Sequence, residues 1–140
     1  MAGYSGTPLA TKLGIKENHR VAVIKAPAGF IQTLGDLPEG VQLHENGRTS
    51  ALDVMLYFTR TRAELVKRFS AFAGCLCPAG GLWIAWPKKA SGVATDLTED
   101  RVREIGLEAG LVDNKVCAVD ETWSGLRFVI RLKDRPKSKK

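Results

Sequence analysis

The chain has 140 residues, 44% of them hydrophobic and 26% charged, which suits one soluble domain with a core of its own. No apolar run approaches the ~18 residues that cross a bilayer. The opening MAGYSGTPLATKLG lacks the basic and apolar regions of a secretory signal, so no membrane partner is expected and the cytoplasm is the expected compartment.

The formal charge of +6 is unevenly placed: Lys133 to Lys140 carry five cations against one anion, a net +4, leaving +2 for residues 1–132. With no apolar residue after Leu132, residues 133–140 read as a disordered basic tail. Such a tail raises nonspecific affinity for polyanions, so a nucleic-acid accessory role acting through it is one functional reading. The three cysteines, Cys75, Cys77 and Cys117, are odd in number and do not suggest a disulfide framework. Cys75-Leu-Cys77 is not a C-x-x-C spacing, and His19 and His44 lie far from it. Half-buried thiols at a helix end are expected, and no metal.

Residues 1–19 read as an N-terminal arm with a short apolar-spaced segment at Leu9, Leu13 and Ile15. Arg20 to Ala26, RVAVIKA, is rich in β-branched residues and predicts a buried strand. Pro27-Ala28-Gly29 breaks it, and Phe30 to Leu34 predicts a short helix. Val41 to His44 is a weak, short strand suited to a sheet edge. Ala51 to Phe58, ALDVMLYF, is the nearly continuous apolar run of a strand covered on both faces.

Thr61-Arg62-Ala63-Glu64 matches a capping box, and Leu65, Val66, Phe69, Phe72, Ala73 and Leu76 follow at the spacing of one helix face. Gly74 and Pro78 close that helix. Leu82 to Trp86 is the next strand, with Trp83 in the core. Thr98 is a good N-cap with Glu99 and Asp100 in the first turn, Val102, Ile105 and Ala109 share a face, and Gly110 is a natural stop. Leu111 to Val119 and Leu126 to Leu132 predict two strands joined by the turn Asp120 to Gly125, an antiparallel hairpin. Strands alternating with amphipathic helices predict a single Rossmann-like α/β domain over residues 20–132, with a mainly parallel sheet of about six strands.

The run of a strand ending in DVMLYF, a capped helix, CPAGGLWIAW, a second helix and a closing hairpin resembles the second half of a class I S-adenosylmethionine-dependent methyltransferase fold. In that family the turn before the fifth strand often reads like Leu76 to Gly81. The resemblance implies a Gly-x-Gly-rich cofactor turn after the first strand, but here the turn is Lys25-Ala26-Pro27-Ala28-Gly29-Phe30, with a single glycine. It also implies an acidic residue ending the second strand to take the ribose hydroxyls, for which Glu45 is the one candidate. The stretch before Ala51 is too short for the family's third strand and helix. The resemblance therefore implies a truncated methyltransferase-like scaffold and disfavours S-adenosylmethionine as cofactor. At a closer level WPKKASGV, TDLTEDRVRE and GLVDNKVCAVDETWSGLRFV resemble a family of small bacterial proteins grouped as a domain of unknown function, which carries no activity over.

In an open parallel α/β sheet, ligands bind beyond the carboxyl ends of the strands. Three loops are expected there: Pro27 to Phe30, Pro87 to Thr98 and Asp120 to Gly125. Lys88 and Lys89 offer point charges to a phosphate or carboxylate, with Ser91, Gly92 and Thr95 adding hydroxyls and an approachable backbone. A solvated surface pair is the alternative for the lysines. Asp120 and Glu121 are the candidate general bases, although Asp120 could instead pair with Lys88 or Lys89. Ser124 belongs to the same turn, and Trp86 with Trp123 could form one aromatic wall. These residues frame a non-catalytic or regulatory domain holding a small anionic ligand or a protein partner. A divergent methyltransferase or other transferase is the enzymatic alternative.

Overall fold

The β-branched run at the start of the domain forms β1, Arg20–Ile24, whose last four residues are buried. In the computed structural model, the described residues are 8–45 and 49–134. The chain continues through α2, Phe30–Leu34, to the three-residue β2, Gln42–His44, and then β3, Leu52–Phe58. Helix α3, Arg62–Ala73, leads to β4, Leu76–Pro87, and helix α4, Glu99–Glu108, to the hairpin of β5, Leu111–Ala118, and β6, Trp123–Ile130. Before them all, α1 spans Leu9–Leu13. The six strands form one sheet in the order β2-β1-β3-β4-β6-β5. The first four are mutually parallel, and β6 runs antiparallel to both β4 and β5. This is the α/β architecture the alternation of apolar strands and helices predicts.

The pleat sends alternate residues of each strand into two cores. One face packs Met55, Tyr57, Leu82, Ile84 and Trp86 against Leu65 and Phe69 of α3 and Val102 and Ile105 of α4. The other packs Val21, Val23, Leu56, Phe58 and Trp83 against Ala10 and Leu13 of α1 and Phe30 and Leu34 of α2. Residues 9–15 thus belong to the packing of the domain, with Leu13 and Ile15 buried. The indole N–H of the fully buried Trp83 donates to the Leu13 carbonyl at 3.0 Å, which satisfies its polar group. Helix α4 lies close to β6 because Gly106 leaves room for the Phe128 ring, into which a Cβ would project.

Several local details depart from the sequence reading. Thr61 caps α3 by accepting from the Glu64 amide at 3.2 Å, but the Glu64 carboxylate turns to Arg68, 2.8 Å away, so only half of the capping box forms. Leu76 to Gly81 is a bulged start of β4 rather than a turn. Leu76 pairs with Leu52, and the register then jumps to place Gly81 opposite Val54. Trp123, Ser124 and Gly125 belong to β6 rather than to the turn, opposite Pro87, Trp86 and Ala85. Strand β6 accordingly ends at Ile130, and Lys133 and Asp134 form a 3-10 turn with Leu132. The remainder of the basic tail, residues 135–140, lies outside the described residues. Among the described residues, no helix is long and apolar enough to cross a membrane.

Candidate ligand-binding site

β1 lies between β2 and β3 in the sheet. The connection to β2 carries α2 on one face, and the connection from β3 carries α3 on the other. The strand order therefore reverses at β1, and the crevice beyond its carboxyl end is where an open α/β sheet takes a ligand. The chain there is held in an unusual shape. Lys25 has φ of 59° and Gly29 φ of 83°, both left-handed, which for a non-glycine residue costs roughly 1–2 kcal/mol. A Cβ added to Gly29 would meet nothing within 4 Å, so its backbone faces open space.

Two cavities of about 390 Å3 each open on either side of this turn, and both are lined by Lys25 and Pro27. The first continues along Gly29 to Gln32 and across to Glu45, just beyond β2. It thus carries an ammonium group and a carboxylate among apolar side chains, which include the part-exposed Ile31. The neighbouring His44 Nε2 is buried without a hydrogen-bond partner among the described residues. The second cavity is lined by Phe58 to Thr61 after β3, Glu64 of α3, Val93 and Trp123. Phe58 is its aromatic hinge, packed edge-to-face against Trp123 at 5.0 Å and against Phe30 at 4.9 Å.

Charge in the second cavity is partly committed. Glu64 accepts from Arg68 and lies 4.0 Å from the Lys25 ammonium. The hydrogen bond from Arg68 holds its carboxyl below the usual carboxylate range. Arg60 is exposed, and no carboxylate pairs with it among the described residues. Behind this wall the fully buried Tyr57 phenol is pushed up by burial.

The hydroxyls of the lysine loop are engaged with nearby backbone. The Ser91 hydroxyl donates to the Lys88 carbonyl at 2.6 Å and accepts from the Val93 amide at 3.1 Å. Gly92, with φ of 79°, ends the 3-10 turn of Lys89 to Ser91. The Thr95 hydroxyl donates to the Arg60 carbonyl at 2.6 Å, and the Asp96 carboxylate accepts from the Arg62 amide at 2.7 Å. Residues 88–97 therefore brace the turn after β3, and Val93 is their member on the second cavity. Lys88, Lys89, Ser91, Gly92 and Thr95 line neither cavity.

The hairpin turn does reach this end of the sheet. The Lys88 amide donates to the Thr122 carbonyl at 2.7 Å. Asp120, however, accepts from the amides of Thr122 and Trp123, both at 2.8 Å, so it closes its own turn rather than pairing with Lys88 or Lys89. Glu121 is exposed, and Ser124 sits within β6 opposite Trp86. Trp86 and Trp123 cannot form one wall: Trp86 is in the core beneath α3 and α4, and Trp123 packs against the core on the opposite face.

Sequence reasoning missed Lys25, Arg60, Thr61 and Glu64. One signal for Arg60 and Thr61 was present, because Thr59 to Arg62 joins a predicted parallel strand to a capped helix and so had to leave a carboxyl end. Cys75, Cys77 and Cys117 are partly buried and form no disulfide among the described residues. Burial pushes the thiols of Cys77 and Cys117 up, against any role as a ready nucleophile. Among the described residues, no three His, Cys, Asp or Glu side chains gather as a metal site would require.

No protein-family profile matches the sequence, and no curated protein is significantly similar to it, so the bacterial family suggested by WPKKASG and DETWSGLRF finds no support there. Solved structures are similar in fold. An S-adenosylmethionine-dependent methyltransferase from Aquifex aeolicus superposes with a TM-score of 0.59 at 15% identity, covering 88% of each chain. The magnesium protoporphyrin IX methyltransferase of Synechocystis, with bound S-adenosylhomocysteine, gives 0.58 at 11% identity over 88% of this chain and 78% of its own. A possible exported protein from Bordetella parapertussis gives 0.62 at 13% identity, over 87% of this chain and 65% of that one. At these identities the likeness concerns the fold: the chain is built on the methyltransferase-type α/β sheet.

Proposed function

We propose that this protein is a binding domain that holds a small ligand bearing a ribose and a carboxylate in the cavity between the ends of β1 and β2. S-adenosylmethionine and S-adenosylhomocysteine are the first ligands to test. The observation that carries this reading is the pairing of Glu45 and Lys25 as opposite charges on one cavity of about 390 Å3, within the usual range for a small-molecule site. A carboxylate at Glu45 accepts hydrogen bonds from a ribose diol. The Lys25 ammonium suits a ligand carboxylate, and the open backbone at Gly29 permits close approach. The bound S-adenosylhomocysteine of the Synechocystis enzyme supports the choice of ligand class.

A non-catalytic or regulatory role is preferred because Asp120 and Glu64, two other carboxylates at this end of the sheet, are committed elsewhere. Asp120 holds two amides of its own turn, and Glu64 is bound to Arg68. Calorimetric titration with both ligands should give binding on the order of micromolar strength, and Glu45→Gln should weaken it at least about tenfold. Titrations without heat for either ligand would overturn the proposal. A divergent methyltransferase is the second reading, favoured by the fold shared with enzymes of that activity. It requires that S-adenosylmethionine bound to the protein be converted to S-adenosylhomocysteine when candidate acceptors are added, and persistence of intact S-adenosylmethionine supports the non-catalytic role.

A further inference from the structure

The second cavity has a chemistry of its own, which the ribose-and-carboxylate reading does not use. Its lining carries two cations, Lys25 and Arg60, against one carboxylate, Glu64, a surplus of one positive charge. Glu64 is already engaged by Arg68 at 2.8 Å, and the longer 4.0 Å approach of Lys25 leaves that ammonium able to turn to another anion. Arg60 is exposed and has no ion-pair partner among the described residues. Its backbone is held in place, because its carbonyl accepts from the Thr95 hydroxyl and from the Asp96 amide. Opposite the charges stand Phe58, Val93 and the half-buried Trp123. The buried Phe58 meets Trp123 at an interplanar angle of 84° and backs it, leaving Trp123 as the aromatic surface against which a flat ring can pack.

We propose that this cavity is a second binding site, for a small aromatic carboxylate whose ring packs against Trp123 and whose anion meets Arg60 and Lys25. Lining cations that outnumber the lining carboxylate suit an anion. The planar guanidinium fork matches a carboxylate, with which it can form two parallel hydrogen bonds. A volume of about 390 Å3 accommodates a single or fused ring. Lys25 lines both cavities, so an anion that draws it toward Arg60 withdraws it from a ligand at Glu45.

Sodium benzoate and its neutral isostere benzamide test the proposal on the full chain, read by calorimetry and by the indole N–H signals in two-dimensional NMR. Benzoate should bind saturably and move the Trp123 signal, while the signal of Trp83, held by the Leu13 carbonyl, should stay in place. Benzamide should bind at least about tenfold more weakly, and Arg60→Gln should weaken benzoate by a similar factor. Lys25→Asn, which keeps a residue tolerant of left-handed backbone, should also weaken it. Arg60→Gln should leave S-adenosylhomocysteine binding within about twofold of wild type, below the effect of losing one charged contact. The proposal is overturned by equal binding of benzoate and benzamide, by no saturation up to about 10 mM, or by a stationary Trp123 signal. Equal loss of both ligands in Arg60→Gln would likewise overturn it, by showing one site rather than two.

Discussion

At the edge where β1, β3 and β4 begin, polar groups are spent on one another; at the edge where they end, charged side chains face open cavities. Asp53 at the start of β3 accepts from the Arg20 amide at 2.9 Å and from the Cys77 thiol at 3.4 Å. The Leu52 amide donates to the Cys75 carbonyl, and the bulge of β4 brings Gly80 so close that a Cβ would strike the Leu52 carbonyl. These contacts fix the register of three strands at their starts. At the far ends, beside their own turn-bracing bonds, Lys25, Glu45 and Arg60 stand on cavities. If the proposed sites hold, the two ends of one sheet should answer differently to the same kind of substitution.

The sharpest contrast uses glycine to alanine at both edges. Gly80→Ala should destabilise the fold by about 3 kcal/mol through overpacking against fixed backbone, measured as a fall in the urea midpoint. Gly29→Ala has open space but a left-handed φ, and should cost about 1 kcal/mol while reducing ligand binding. Equal costs would break the comparison. Asp120→Ala removes two turn-closing hydrogen bonds and should cost about 1–2 kcal/mol, with Asp120→Asn recovering most of it. If Asp120 served as a base instead, asparagine would rescue stability but not activity.

The smallest effect concerns Glu64. Its folded pKa lies below the ordinary value because of the hydrogen bond from Arg68. Its contribution to stability is therefore present above the ordinary glutamate range and is lost as pH falls through the lower folded value. Urea midpoints of the wild type should fall through that window more steeply than those of Glu64→Gln. A parallel pair of pH profiles would show that the ion pair does not contribute.

The fold was largely legible because its signals are local. RVAVI and LDVMLYF declare buried strands by composition, and Thr61 and Thr98 each cap the helix they precede, by accepting from Glu64 and Arg101. The site was legible only by location. Lys88 and Lys89 drew notice as a pair beside a buried strand, yet the hydroxyls around them fasten backbone. Lys25 and Glu64 gained their meaning from the tertiary contact that joins them, and no local pattern encodes it. Trp86 and Trp123 fell on opposite faces because the turn is shorter than DETWSG suggests, so Trp123 enters the pleat of β6.

The division between the two edges is tested most directly by following backbone amide signals of the protein while S-adenosylhomocysteine is added. The signals of Lys25 to Gln32 and of Glu45 should shift saturably, and those of Asp53 and Cys77 to Gly81 should stay fixed. Shifts confined to Lys88 to Thr98, or no shift at any of these residues, would contradict a binding site at the ends of β1 and β2.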